Sequence, residues 1–531
     1  MVVPGVLRAA LVCGFVFQAT VMAFAQPRAG ASAVKPAAEA RPSLWLDARL
    51  QPTGDADAAL ALLGQAAREG LDPRDYEAVR LAAAAARLRD SQSSVADARA
   101  FDARLHAAVA RYLKDLHTGR VNPRRLGFRM ATRADEHDFN ALVADAARQH
   151  RIPAVAESMV PPLGLYRDLR DRLARYRALV SDDAMRGPLP PIPLPLRPGT
   201  PWAVGPLARR LVALGDATPA TVSVAGDVYA GALVEAVKHF QARHGLVNDG
   251  VIGAATLRAL NTPISSRIDQ IVLSLERLRW LPHLGPGPLI GVNLPMFQVW
   301  AWDRPIVDPQ PALSMQVIVG RALETQTPVF IDAVEHIVFR PYWNVPASIL
   351  RQELLPQFQA DPGALGRQQM ELVAGEGDDA PTVPWSEDAR GRLEQGTLRV
   401  RQRPGPANAL GLLKFVFPNA DDVYMHGTPA PALFGRARRD FSHGCIRLED
   451  PVAMAEWLLG RQGWTRERIL SAIDDGPNQR VVLREPVPVV LFYMTAVVMP
   501  GSGTLRFADD IYRHDAALSR ALAARTRALS R

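Results

Sequence analysis

Apolar residues recur at helical spacing as far as about residue 262 and at every second position from Leu289 onward. A period near 3.6 buries one stripe of a helix, and a period of two buries one face of a strand. The 531-residue chain therefore reads as a multidomain α+β protein, helical first and mostly β afterwards. In the first stretch Leu60, Leu63, Ala67 and Leu71 share a face, and Gly70 closes the pattern before Asp72-Pro73. Ala107 to Leu116 and Leu165 to Leu179 repeat the period. No reactive cluster interrupts them, which marks residues 26–185 as a helical scaffold. The proline-rich stretch 186–201 is stiff and extended and reads as a linker.

Residues 202–263 give a three-helix module from Leu207, Leu211 and Leu214, then Leu233, Val237 and Phe240, then Ala254 to Leu260. Strand signals at Leu289–Asn293, Phe297–Trp302, Ser314–Val319, Glu335–Phe339, Leu413–Phe417 and Val423–His426 place a mostly β domain over 285–465. A more helical, polar insertion at about 346–398 interrupts it and is expected to act as a lid. Asp450-Pro451 reads as the cap and first residue of a helix. Residues 466–531 are expected to be a C-terminal extension that packs on this domain.

Residues 1–25 carry Arg8, an apolar run from Ala9 to Met22 and then Ala23-Phe24-Ala25, the pattern of a cleavable export signal. The run is too short to span a membrane comfortably, and no longer one follows. The reading is a periplasmic, wall-associated protein with no integral membrane segment after cleavage. Cleavage leaves a net charge of +7 and one of the two cysteines, Cys445. That excludes a disulfide-stapled scaffold. Spread over about 500 residues, the charge is modest; it suits an acidic polymer and makes no case for nucleic acid. An unpaired thiol in an oxidising compartment is either buried as a small hydrophobe or used.

The surroundings of Cys445 favour use. Tyr424-Met425-His426-Gly427 ends a strand, and Ser442-His443-Gly444-Cys445-Ile446-Arg447 follows in a loop before the capped helix. A thiolate is the competent nucleophile and an imidazole generates it, so His426 is the candidate base, expected to lower the thiol's pKa. His443, two residues from the thiol, is given a local role. Gly444 permits a tight turn, so that its N–H and that of Cys445 can face a developing oxyanion. Zinc held by His426, His443 and Cys445 with an open fourth position is the chemical alternative. No H-E-x-x-H motif or second mature cysteine accompanies it.

Ser442-His443-Gly444-Cys445 with an upstream histidine resembles the signature of the YkuD-type L,D-transpeptidases. Arg340-Pro341-Tyr342-Trp343-Asn344-Val345-Pro346, Arg401-Gln402-Arg403-Pro404-Gly405-Pro406, Asn408-Ala409-Leu410-Gly411, Lys414-Phe415, Phe417-Pro418-Asn419 and the tail from Phe507 to Asp515 extend the likeness to the large Gram-negative, YcbB-like subgroup. Val237-Lys238-His239-Phe240-Gln241, Gly245-Leu246, Asp249-Gly250, Ile252-Gly253 and Thr256 resemble the small peptidoglycan-binding module of cell-wall enzymes.

The resemblance implies a cysteine acyltransferase that joins peptidoglycan stem peptides by 3–3 cross-links, without cofactor or metal. Cys445 would be the nucleophile and His426 the proton acceptor and donor. Ser442, His443 and Gly444 would shape the oxyanion loop, and Arg447 would organise the site or a substrate carboxylate. Tyr424, Trp343, Tyr342 and Gly427 are the candidate substrate contacts. Stem peptides and glycan strands would be partners, with other cell-wall synthesis proteins as candidates for the N-terminal helices. An L,D-carboxypeptidase or cross-link hydrolase on the same fold, or a non-catalytic wall-binding protein, stays open at this point. Two positions depart from the subgroup: Gly427 stands where an aspartate is common, and Arg340 where asparagine is expected.

Overall fold

A computed structural model describes residues 43–529 except 91–92, 131–136, 224–225, 283, 306–309 and 475; the expected export signal lies outside the described residues. The scaffold is helical: Gly54–Gly64, Ala78–Arg89, Val95–Thr118, Phe139–Arg148, Ile152–Met159 and Gly164–Ala178. Gly70 ends a 3₁₀ turn at Ala66–Glu69 with a positive φ of 70°, where the leucine pattern ends. The 24-residue helix Val95–Thr118 starts in a capping box of Ser94 and Asp97 and buries Phe101, Leu105, Val109, Leu113 and Leu116.

The three-helix module forms over Gly205–Leu214, Ala232–Arg243 and Ala254–Leu260, with a short helical turn at Pro219–Ser223. Gln241 organises its final turn. Its Oε1 accepts the Gly250 N–H at 2.9 Å, and its Nε2 donates to Thr256 Oγ1 at 3.1 Å. Gly250 is required there, because a Cβ would lie 2.8 Å from Val234 Cγ1 at a φ of +74°. The proline-rich stretch is not a free spacer. Leu189, Ile192 and Leu196 are buried in the module core, and Leu196 exchanges backbone hydrogen bonds with Ile252 at 3.0 and 3.1 Å. Extended chain without internal hydrogen bonds needs such outside partners, and the module supplies them.

A helix not foreseen in the sequence, Ile264–Arg279, packs on Gly164–Ala178 and leads into the β domain. The strands follow in order: β1 (Leu289–Asn293), β2 (Gln298–Trp302), β3 (Leu313–Gly320), β4 (Phe330–Phe339), then β5 (Trp343–Asn344), β6 (Met370–Val373), β7 (Thr382–Val383) and β8 (Arg399–Gln402) in the insertion. After it come β9 (Leu413–Val416), β10 (Met425–His426), β11 (Asp440–Ser442), β12 (Ile446–Leu448) and β13 (Gln479–Phe492). The main sheet runs β11-β3-β12-β10-β9-β4-β13-β1-β2, and a further β2–β3 pairing closes it on itself. Its enclosed side packs Val292, Val299, Val317, Ile337, Phe339, Phe415, Met425 and Ile446.

One boundary reading changes. β13 lies between β4 and β1 near the middle of the sheet, so the catalytic domain does not end at residue 465 with an extension packed outside it. Sequence distance hid a strand whose two neighbours lie at least 140 residues upstream. The insertion, expected to be polar and more helical, is a small subdomain with a sheet and a core of its own. Short helices cover a four-stranded sheet, β5-β8-β6-β7, around a core of Ile349, Leu354, Phe358, Leu372, Leu393 and Val400.

Candidate active site

Strand alternation builds the site. β10 pairs in parallel with β12, placing His426 opposite Arg447, and antiparallel with β9, placing His426 opposite Lys414. Met425, Phe415 and Ile446 point into the closed core. With a period of two, Lys414 and Val416, Tyr424 and His426, and Cys445 and Arg447 fall on the other face. All six line one cleft of about 1190 Å³.

The loop before β12 is shaped by Ser442. Its Oγ donates to the Cys445 carbonyl at 2.5 Å and accepts the Gly444 N–H at 3.2 Å, around a Gly444 φ of +120°. Of the two amides offered for an oxyanion, that of Gly444 is thus engaged within the loop, and Gly444 is not among the cleft-lining residues. His443 lines the cleft and is engaged by another of its lining residues. Its Nε2 lies 2.7 Å from Glu353 Oε1, on a π-helical turn, Leu350–Leu354, of the insertion. Among the described residues no three His, Cys, Asp or Glu side chains gather as a metal-binding set. The His426, His443 and Cys445 trio weighed for zinc is therefore not assembled.

His426 is buried, and burial, reinforced by the charge of Arg447, pushes its pKa down to about 3. Its Nδ1 has no hydrogen bond of good geometry, although the backbone of Gly427 and Leu410 lies close enough to favour the protonated ring. Burial pushes the Cys445 thiol up, opposed by Tyr424, Lys414 and Arg447. This corrects the expectation that His426 lowers it, since a neutral imidazole carries no charge to do so. The resting pair is thiol and neutral imidazole, with Sγ–H donating weakly to the Asp422 carbonyl at 3.7 Å.

Lys414, part of one motif of the family likeness, was given no site role from the sequence. Its Nζ sits 3.8 Å from the Tyr424 ring centroid, and burial lowers its pKa. The alternation that placed His426 also places Lys414 on its face, once β9 and β10 are paired. Trp343 lines the cleft. Tyr342 and Gly427 do not: Tyr342 stacks against the Arg401 guanidinium at 4.3 Å, and Gly427 packs by Gly411 and Pro451. Arg340 donates to the carbonyls of Ile473 at 3.0 Å and Asp474 at 2.7 Å, capping the helix Arg466–Asp474. That departure from the subgroup is absorbed structurally, away from the thiol.

A closed β domain that places a cysteine and a histidine on one cleft face holds the residue types that thiol acyl transfer requires. Comparison with known proteins is more specific. Residues 288–489 match the family model described as the L,D-transpeptidase catalytic domain (YkuD), residues 37–173 the Scaffold domain, and residues 203–260 the "Putative peptidoglycan binding domain". The chain thus carries a YkuD L,D-transpeptidase catalytic domain together with scaffold and peptidoglycan-binding domains. A Haemophilus influenzae protein named "Putative L,D-transpeptidase" is 31% identical over 253 residues, 47% of this chain and 49% of the relative. The chain spans about half the length of that curated relative.

Proposed function

We propose that the protein is a periplasmic L,D-transpeptidase that forms 3–3 cross-links between peptidoglycan stem peptides through a thioester on Cys445. The observation that carries this reading is the shared face of β9, β10 and β12, where Cys445 and His426 share one cleft with two half-buried cations, Lys414 and Arg447. Neither cation has an ion pair with a carboxylate among the described residues, so a carboxylate of the stem peptide suits them as counter-ion.

In the first half-reaction the thiol proton passes to His426 as Sγ attacks the carbonyl of the third stem residue. Because His426 is neutral at rest, it accepts that proton during attack rather than before it. The Cys445 N–H faces the tetrahedral oxyanion, a contact worth about 3–4 kcal/mol at the transition state. His426 then returns the proton to the nitrogen of the departing D-alanine, leaving a thioester. In the second half-reaction a side-chain amine of another stem attacks the thioester, His426 removes its proton, and the new amide leaves as the thiol is restored. The peptidoglycan-binding module would hold the enzyme on the polymer while the cleft selects the stem.

The test is incubation with purified tetrapeptide stems and mass spectrometry of the products. Cross-linked dimers, lost by at least about a thousandfold in Cys445→Ala, are expected. Tripeptide alone would instead identify a hydrolase, and an unchanged substrate would leave only the wall-binding modules with a role.

A further inference from the structure

We infer that Thr327, held in place by Tyr512, is a positioning residue for the oxyanion-binding peptide of the acyl transfer; the inference rests on the reading of Cys445 given above. The carbonyl of Gly444 and the N–H of Cys445 belong to one trans peptide and point in opposite directions. Whatever fixes the carbonyl therefore aims the N–H. Thr327 Oγ1 donates to the Gly444 carbonyl at 2.7 Å, in a fully buried position. The hydroxyl has a single proton, and its direction is set, because Oγ1 also accepts the Gly320 N–H at 2.9 Å.

Thr327 is itself clamped from the C-terminal chain. Tyr512 Oη donates to the Gly320 carbonyl at 2.6 Å and accepts the Thr327 N–H at 3.3 Å. The turn that carries Thr327 folds back tightly over the end of β3: a Cβ on Gly320 would lie 2.0 Å from the Thr325 carbonyl oxygen. Thr325 Oγ1 donates to the Ser442 carbonyl at 2.9 Å. Residues 325 and 327 thus hold two carbonyls of the catalytic loop, that of Gly444 behind the cleft, whose lining includes neither Thr327 nor Gly444. Without the Thr327 hydroxyl, the Gly444 carbonyl loses its buried donor and the peptide is free to rotate that oxygen toward the thiol. A residue more than 180 positions beyond Thr327 therefore helps to aim the amide beside Cys445, which gives the tail a role in the reaction.

The alternative is a threonine that only stabilises the loop, and two Cys445 reactions separate the roles. Acylation by p-nitrophenyl acetate passes through an oxyanion; alkylation by iodoacetamide displaces iodide at a saturated carbon and does not. Thr327→Val is expected to slow acylation by about 10- to 100-fold while alkylation stays within about twofold, and Thr327→Ser to restore acylation. Tyr512→Phe is expected to lower the acylation-to-alkylation ratio several-fold, and it serves as the readout should Thr327→Val fail to fold. Equal losses in both reactions, or an unchanged ratio in both variants, overturn the inference. Parent protein that acylates with the ester and leaves tetrapeptide stems untouched overturns the substrate reading alone. Parent protein inert to both acyl donors overturns the two together.

Discussion

At the junction of scaffold and catalytic domain, Glu276 is fully buried between Arg120, 3.0 Å away, and Arg279, 3.2 Å away. Arg525 of the C-terminal helix lies 3.0 Å from Asp75 and 2.7 Å from Asp115, and Arg277 lies 2.5 Å from Asp515. Each of these ions has a counter-ion, and every pair except Glu276–Arg279, which lies within one helix, joins separate segments of the fold. In the cleft the same kinds of group stand alone: Lys414 and Arg447 face Cys445 without a carboxylate in contact, Arg447 Nε has no partner, and neither has His426 Nδ1. Taking charge fully out of water costs several kcal/mol per ion, and the half-buried Lys414 and Arg447 bear part of that cost. The junction offsets that cost inside the protein and becomes a fixed joint. The cleft leaves the cost standing, to be offset by a bound anion or spent on shifted proton affinities.

The strongest test of the contrast is removal of one junction charge. Glu276→Gln leaves Arg120 and Arg279 buried around a neutral side chain, and the expected loss is about 3–5 kcal/mol of stability toward denaturant. Glu276 ionises more readily than usual, because the two arginines outweigh its burial, so the charge being removed is present at neutral pH. A loss below about 1 kcal/mol would mean that the junction ions are no better partnered than surface pairs, and the contrast would fail.

How much of this was legible in sequence follows the same division. Cys445 and His426 stood out because a glycine-bearing loop and a strand end carry reactive side chains within 19 residues of each other. Lys414 and Thr327 did not, because their relevance depends on which strands pair: β9 on β10 for the lysine, and the β3–β4 turn on the Ser442–Cys445 loop for the threonine. The helix Ile264–Arg279 escaped notice since Glu276, Arg277 and Arg279 lie buried among its apolar residues and blur the polar face that periodicity relies on. Local chemistry was readable; partners chosen by tertiary pairing were not.

Acid acts on His426 and Asp115 with opposite sign. His426, held at about 3, and His514, held at about 4, are neutral in the fold, and burial is the main cause for both. An unfolded histidine titrates near 6.5, so between these values the unfolded chain binds more protons and stability falls as pH falls. From pH 6.5 to pH 5, His426 alone is expected to remove about 2 kcal/mol. At the junction, burial holds Asp115 up to about 6 despite Arg525, so there the folded state binds the extra proton and stability falls as pH rises through that value. Thermal melting between pH 7 and 5 should therefore flatten in His426→Gln and steepen in Asp115→Asn. Identical profiles for the two variants would remove the proposed opposition.

The smallest effect asks which neighbour tunes the thiol. Tyr424 pulls the Cys445 pKa down most, then Lys414 and Arg447, against the upward push of burial. Lys414 rests on the Tyr424 ring, so removing its charge weakens two of these influences together. Lys414→Met is expected to raise the apparent pKa in an iodoacetamide rate profile, slowing alkylation at neutral pH by up to about tenfold. His426→Gln should shift that profile less, because a ring with a pKa of about 3 carries no charge where the thiol titrates. The reverse ranking would mean that the histidine is charged beside the thiolate. The cleft would then hold an ion pair of its own, as the junction does, and its cations would need no substrate anion to complete them.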